Sequence, residues 1–340
     1  MSSNSHMQVD EQRGARRMKS EHEDASIPAA ITDTGCEREL NEDRYAVIEC
    51  DLGVAWIVCD GMGGATGGEL AAQLVIDSVR RELAKHQELS PEAAIRNALL
   101  EANRVIVLRR QNPAFSSMGT TAVALLFSGA EVALANVGDS RAYLIREGAI
   151  QQLTVDHTLV QQLVEKGEIS SEEALGHPDA HILTRCLGAE PGLEVDVRKL
   201  WVWTIQPGEA CDTLLLCSDG LYSLVAEMEI AHAVATNSPQ AACVKLVELA
   251  KARGGYDNIT LSVIPLAGQL RVAPPSNSQK VRKPAVQRSD RVGGIDVRSS
   301  RPPRVAGQLR GLSNHLFFSV LLASFVTALT AMGFLVVNFF

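Results

Sequence analysis

The chain has 340 residues, 46% of them hydrophobic and 21% charged, which excludes a largely disordered protein and leaves room for a substantial core. Its formal net charge of −8 hides an asymmetry: from Gly268 onward ten Lys and Arg face two Asp, a net of +8, so residues 1–267 carry −16. An acidic main region argues against nucleic acid as its partner and favours cation binding. The seven cysteines are odd in number and lack the two-residue spacing of zinc or thioredoxin motifs, which points to a reducing compartment.

Residues 1–26 are polar and densely charged, with no apolar stretch of the secretory kind, and are expected to be a flexible tail. Tyr45–Cys50 and Val54–Cys59 are β-branched runs separated by Asp51-Leu52-Gly53, the pattern of a hairpin. From Gly67 the period becomes helical, with Ala72, Ile76, Val79 and Leu83 on one face. Ser90-Pro91 supplies an N-cap and a first-turn proline for a second helix carrying Ile95, Leu99, Ala102 and Ile106.

Short strands with turn signals follow at Thr120–Phe127, Glu131–Asn136, Arg141–Ile145 and Ala149–Leu153, the pattern of an antiparallel meander. Asp156–Lys166 and Ser170–Leu175 read as short helices, the second opened by the capping box Ser170-Ser171-Glu172-Glu173. Strands return at Leu200–Ile205, Thr213–Cys217 and Asn258–Ile264, and Ser238-Pro239 caps a helix running toward Lys251. Paired helices and hairpin strands without βαβ alternation give an α+β class, antiparallel sheets sandwiched between helix layers.

Residues 268–312 are rich in Pro, Arg and Ser and are expected to be a basic, disordered linker. Leu316–Phe340 then holds 25 residues without a charge. As a helix it would measure about 37 Å at about 1.5 Å per residue, enough to cross a hydrocarbon core of about 30 Å. The segment 313–340 is therefore expected to be a transmembrane tail anchor. The basic stretch before it would keep the main domain cytoplasmic at the cell membrane.

Function is carried by four acidic islands, each beside an apolar run: Cys59-Asp60-Gly61-Met62, Val137-Gly138-Asp139-Ser140, Cys217-Ser218-Asp219-Gly220 and Tyr256-Asp257-Asn258. A carboxylate leaving a buried strand needs a neutralising charge, and several converging ones are met most readily by a hard divalent cation. An isolated Asp-Gly is ordinarily a turn, but repetition at strand ends points to one ion-centred site and to chemistry on phosphate. Arg38, in Gly35-Cys36-Glu37-Arg38-Glu39-Leu40-Asn41-Glu42-Asp43, offers a planar guanidinium for bidentate contact with a phosphate. Read alone, it could equally form a surface ion pair.

The order Arg38-x-x-Asn41-Glu42-Asp43, Asp60-Gly61-Met62-Gly63-Gly64, Gly119-Thr120-Thr121, Gly138-Asp139-Ser140-Arg141, Ser218-Asp219-Gly220 and Asp257-Asn258 resembles the PPM family of metal-dependent (type 2C) protein serine/threonine phosphatases. Asp156-His157-Thr158, His177-Pro178, Leu183-Thr184-Arg185 and Leu187-Gly188 resemble the flap of its bacterial branch. The resemblance covers about residues 28–266, which places the phosphatase domain at 27–267. It implies a four-layer α-β-β-α sandwich of two antiparallel sheets flanked by helix pairs, with a flap at about 156–190.

It also implies two Mn²⁺ or Mg²⁺ ions and a third, weaker one. Asp60 would bridge two ions, the Gly61 carbonyl would serve one, and Asp219 with Asp257 the other. Glu42 would act through bound water, with Asp43 and Asn258 behind the ligands, and Asp139 would take the third ion. Arg38 would clamp the phosphate, and a metal-bridging hydroxide would attack phosphorus. Phosphorylated proteins, including Ser/Thr kinases and their substrates, are the partners this implies.

At one position the chain departs from the animal enzymes of that family, which carry a histidine where this chain has Met62. A thioether cannot donate a proton, so the leaving group would be protonated by metal-bound water or another residue; His157 and His177 are candidates by chemistry only, with structural roles in the flap the favoured reading. Two alternatives keep the fold. A catalytically inactive binding module would have lost a ligand, whereas Asp60, Asp219, Asp257 and Arg38 are all present. A phosphatase for a phosphorylated anti-sigma antagonist would keep the chemistry and change the target.

Overall fold

The structure, a computed structural model, describes residues 27–64, 67–85, 88–204, 206 and 209–272. The expected tail at 1–26 and the apolar segment at 313–340 lie outside them. Among the described residues no helix is long and apolar enough to cross a membrane.

Among the described residues eleven strands form two antiparallel sheets. The five-stranded sheet runs β1 (Ala29–Asp33), β12 (Ile259–Pro265), β11 (Thr213–Cys217), β8 (Arg141–Arg146), β9 (Ala149–Gln152). The six-stranded sheet runs β13 (Gln269–Val272), β10 (Asp196–Trp203), β7 (Glu131–Val137), β6 (Ala122–Ser128), β3 (Gly53–Cys59), β2 (Arg44–Cys50). A two-stranded ribbon pairs β4 (Gly61–Met62) with β5 (Gly119–Thr120).

Strand periodicity decides which face packs where. On β2, Ala46 and Ile48 point inward while Tyr45 and Val47 stay exposed. β3, β6 and β7 are central strands covered on both faces, and they read as nearly continuous apolar runs. Three apolar clusters result. One joins the six-stranded sheet to helices α1 (Gly67–Leu83) and α2 (Pro91–Arg109), through Ile57 and Ala124 against Val75 and Leu99. Another joins the five-stranded sheet to α5 (Asp219–Tyr222), α6 (Glu227–Thr236) and α7 (Pro239–Ala252), through Leu215 and Leu261 against Ile230 and Leu246. The third lies between the sheets, with Val58, Leu125 and Leu134 facing Leu144, Leu214 and Leu216. Three apolar seams separate four layers, the α-β-β-α order expected from the sequence.

The helix signals act as anticipated. Ser90 Oγ accepts the Ala93 N–H at 3.3 Å with Pro91 in the first turn. Ser170 and Glu173 close a reciprocal capping box that starts α4 (Ser171–Leu175). The helix before it, α3 (Leu159–Lys166), begins at Leu159 rather than Asp156, because the Thr158 side chain is its N-cap.

Other expectations are corrected. The run Thr120–Phe127 is split between β5 and β6, because the Thr121 N–H turns to the Asp60 carbonyl at 2.9 Å. β10 spans Asp196–Trp203 instead of Leu200–Ile205, its first half pairing with β7 through Asp196, Arg198 and Lys199 around a single apolar Val197, too little to signal a strand. The linker does not begin at 268, since Gln269–Val272 is a strand on β10 with Leu270 inserted between the sheets. Helix α6 and strand β1 went unread: Ala226 supplies no side-chain cap, and β1 alternates too weakly to stand out.

Candidate active site

The acidic islands meet at one end of the sandwich, where β3, β7, β11 and the loop into β12 release their chains. Asp60 follows β3, and its backbone is fixed from two directions. Its N–H donates to Thr121 Oγ1 at 3.0 Å, and its carbonyl accepts from Thr120 Oγ1 at 2.8 Å and from the Thr121 N–H. Thr121 Oγ1 also shares a hydrogen bond with Ser140 Oγ at 2.7 Å, which couples the Asp60 turn to the Asp139 turn. Gly138, at φ +102°, allows that approach: a Cβ there would stand 2.6 Å from the Thr121 methyl.

Gly61 lies against the first turn of α1, where a Cβ on Gly68 would stand 2.6 Å from the Gly61 carbonyl carbon and 2.5 Å from Glu42 Oε1. Only glycine fits between them. The Gly68 N–H donates to Glu42 Oε1 at 3.1 Å, so the Glu42 carboxylate sits at the positive end of α1.

Asn258 is a clamp for the loop that carries Arg38. Its Oδ1 accepts the Glu42 N–H at 2.8 Å, and its Nδ2 donates to the Thr34 and Leu40 carbonyls at 2.9 and 3.0 Å. Asp43 is buried behind the site and accepts from Ser218 Oγ at 2.7 Å, while Ser218 Oγ accepts the Thr260 N–H. Asp139 is backed from the other side. Tyr222 donates its hydroxyl to the Asp139 carbonyl at 3.0 Å, and the Arg141 guanidinium stacks on the Tyr222 ring at 3.7 Å while holding Asp156.

The electrostatics are one-sided. Burial, followed by repulsion from Asp43, Asp219, Asp139 and Asp257, lifts the Asp60 carboxyl well above the ordinary carboxylate range. Burial pushes Asp43 up to about 7 and Asp139 up to about 8, with Asp219 adding repulsion to each. Asp219 is raised by burial and by Asp257, and its Oδ1 is buried without a hydrogen-bond partner. Basic groups reach this field from its rim: Arg38 Nη2 donates to Asp257 Oδ2 at 2.8 Å, and His181 Nδ1 lies 3.8 Å from Asp219 Oδ2.

Among the described residues no three His, Cys, Asp or Glu side chains are already gathered tightly enough to hold an ion. The donor set nevertheless fits hard divalent cations. It is all oxygen, it carries several mutually repelling carboxyls, and it includes an orphaned buried Asp219 oxygen.

Every residue expected at the site is therefore at this end of the fold: Asp60, Gly61, Asp139, Asp219 and Asp257 around the field, Asp43 and Asn258 behind it, and Arg38 at its mouth. Glu42 is nearby but engaged with α1. Neither histidine singled out from sequence joins it. His157 Nδ1 accepts the Gly138 N–H at 3.0 Å and its Nε2 faces Asp196 Oδ2 at 3.3 Å, so it pins the flap base to β7 and β10. His177 Nδ1 accepts the Asp179 N–H. Sequence reading missed the supporting roles of Thr121, Ser218 and Tyr222, and missed His181 altogether. Thr120-Thr121 was visible as a motif, but the partners that give it meaning are about 60 residues away.

A pile of carboxyls at strand exits with an arginine at its mouth defines a metal-dependent hydrolase of phosphate esters. Comparison with known proteins agrees. The profile of the family "Protein phosphatase 2C" matches residues 37–246. The chain is 38% identical over 240 residues to the serine/threonine phosphatase stp of Listeria welshimeri, covering 68% of this chain and 93% of that protein. It is also 38% identical to PstP of Mycobacterium tuberculosis, over 69% of this chain and 44% of that protein. Among solved structures, the M. tuberculosis phosphatase PstP/Ppp superposes with a TM-score of 0.62 at 35% identity, covering 70% of this chain and 97% of that one. A PstP catalytic domain in complex with two manganese ions superposes at 0.58, also at 35% identity, over 70% and 96% of the two chains. The chain belongs to the protein phosphatase 2C family, and it is a metal-dependent protein serine/threonine phosphatase of the bacterial type.

Proposed function

We propose that Asp60, Asp219, Asp257 and the Gly61 carbonyl hold two divalent ions, Mn²⁺ or Mg²⁺, with Asp139 taking a third. The observation that supports this is the unneutralised carboxyl field itself, with Asp60, Asp43 and Asp139 all held far above their ordinary proton affinity. Ions bound there supply charge for the phosphoryl oxygens and lower the pKa of water.

The chain's own residues do the rest. Thr120 and Thr121 fix the Asp60 turn, Ser218 and Asp43 set the floor, and Asn258 holds the loop that presents Arg38. Arg38 is half exposed, and it is the group proposed to take the substrate phosphate once Asp257 is neutralised by an ion. The deciding experiment is turnover of a phosphothreonine peptide with and without Mn²⁺. Metal-dependent release of phosphate, lost in Asp60→Asn, is expected; turnover that ignores either change would overturn the assignment.

We further propose that the uncharged stretch Leu316–Phe340 anchors the protein in the cell membrane with the phosphatase domain in the cytoplasm. This rests on its length, its composition and the basic residues before it. Tethering would raise the effective concentration of the domain toward membrane-bound Ser/Thr kinases and their substrates. Removing residues 312–340 should move the protein to the soluble fraction with small-substrate turnover intact; a truncated protein that still sediments with membranes would contradict the anchor.

A further inference from the structure

Two neighbouring carboxyls at the mouth of the field are approached by basic side chains. On one, Arg38 comes from the loop before β2 and rests on Asp257 at 2.8 Å, with 49% of its side chain exposed. On the other, His181 comes from the flap and points Nδ1 toward Asp219 Oδ2 from 3.8 Å, with 66% of its side chain exposed. Asp219 and Asp257 repel one another, so the two basic groups act on neighbouring carboxyls of one field. At 3.8 Å the imidazole is near Asp219 without being spent on a hydrogen bond to it.

The backbone next to His181 is fixed. The Ile182 carbonyl accepts the Leu159 N–H at 2.8 Å, Leu183 pairs with Thr158, and the Thr184 N–H donates to the His157 carbonyl at 2.8 Å. His157 is in turn bonded to Gly138, the residue before Asp139. Arg185 completes the fastening through Asp196 Oδ1 at 2.7 Å. An exposed side chain on such a fastened backbone, aimed at a carboxyl of the site, is placed to meet whatever arrives at that carboxyl.

What arrives carries a doubly charged phosphoryl group, which needs donors. Met62 offers none, and the aspartates are acceptors. We propose that His181 is a substrate-contacting residue, its imidazole N–H donating a hydrogen bond to the phosphate ester opposite Arg38. The flap thus supplies one half of a two-sided phosphate cradle. A neutral imidazole always carries one N–H, so the role does not depend on its charge state. The proposal rests on the phosphatase reading of the site.

The test compares wild type, His181→Ala, His181→Gln and Arg38→Ala in the full-length, Mn²⁺-loaded protein. Calorimetry measures binding of inorganic phosphate and, separately, of Mn²⁺; steady-state kinetics on a phosphothreonine peptide give KM and kcat. One hydrogen bond to a charged group predicts that His181→Ala weakens phosphate binding and raises KM about tenfold. Mn²⁺ affinity and melting temperature should stay unchanged, and Gln, which keeps an N–H donor, should recover most of the loss. Phosphate binding within twofold of wild type in His181→Ala, or a loss confined to Mn²⁺ affinity, would overturn the proposal. Because phosphate binding is read without turnover, an inactive wild type would count against the phosphatase reading and leave this comparison intact.

Discussion

Two ends of the same sandwich bury aspartates in opposite ways. At the end where β13 closes the six-stranded sheet, Asp212 is fully buried and completely answered. Arg146 Nε and Nη2 bind its two oxygens at 2.7 and 2.6 Å, its Oδ2 takes the Leu270 N–H, and Arg146 also holds the Leu270 carbonyl. At the other end Asp43 is just as buried and is held by hydroxyl donors, while Asp60, Asp219 and Asp257 crowd its field and Arg38 contacts Asp257. The chain thus supplies a guanidinium where a carboxylate is structural, and at the strand exits it gives one to Asp257 alone, leaving Asp60, Asp139 and Asp219 with no guanidinium contact among the described residues. The difference separates a peg from a binding site: one is complete in itself, the other is complete only with a cation added.

The sharpest way to break this contrast is to substitute at both ends. Asp60→Asn and Asp219→Asn should each lower kcat/KM by about 10³-fold while leaving the metal-free protein as stable as before or more so, since each removes a desolvated charge. Arg146→Ala should do the reverse, costing about 3 kcal/mol of stability by orphaning Asp212 and leaving the turnover of folded molecules unchanged. Denaturant unfolding and initial rates on the same preparations decide both. Loss of stability in Asp60→Asn, or loss of turnover without loss of stability in Arg146→Ala, would erase the distinction.

Next in size is Arg38→Ala, which should raise KM for a phosphopeptide about tenfold or more, because a charge-assisted contact with phosphate is lost. A smaller effect is expected with pH. Asp43 and Asp139 bind protons more tightly folded, at about 7 and about 8, than unfolded at about 3.9. The metal-free native state therefore holds more protons than the unfolded chain between about pH 4 and 8, and its stability should rise as pH falls through that window. With Mn²⁺ present the trend should reverse, since ions compete with protons for the same oxygens. Thermal melts at pH 5.5 and 8.5, with chelator or with Mn²⁺, check the sign. The smallest effect is assigned to Tyr222→Phe, which removes one hydroxyl from the Asp139 carbonyl and should weaken binding of the third ion about fivefold by calorimetry.

Much of this was legible in the sequence because strands that leave a buried sheet announce themselves. Asp60, Asp139, Asp219 and Asp257 each follow or precede an apolar run, and their chain order matched a family pattern that the fold reproduces. Arg38 and Asn258 were legible for the same reason. Contacts across sequence distance were not. Thr121 matters because Asp60 folds back onto it, Tyr222 because α5 brings it under Asp139, and His181 because the flap pairs Leu183 with Thr158. Nothing in the local pattern of these residues reports such partners. Strand β13 was hidden in the same way: Gln269-Leu270-Arg271-Val272 has strand alternation, but its reason for pairing is Asp212, far back in the chain.

The central claim, that the strand-exit carboxylates form a divalent-cation site, is most directly tested by thermal unfolding of wild type and Asp60→Asn at pH 7.5 across a Mn²⁺ titration. The account predicts that the wild-type melting temperature climbs with metal, reaching a stabilisation of about 2.7 kcal/mol at a hundredfold excess over Kd, and that Asp60→Asn loses most of that climb. A wild-type melting temperature indifferent to Mn²⁺, or an equal climb in both proteins, would contradict it.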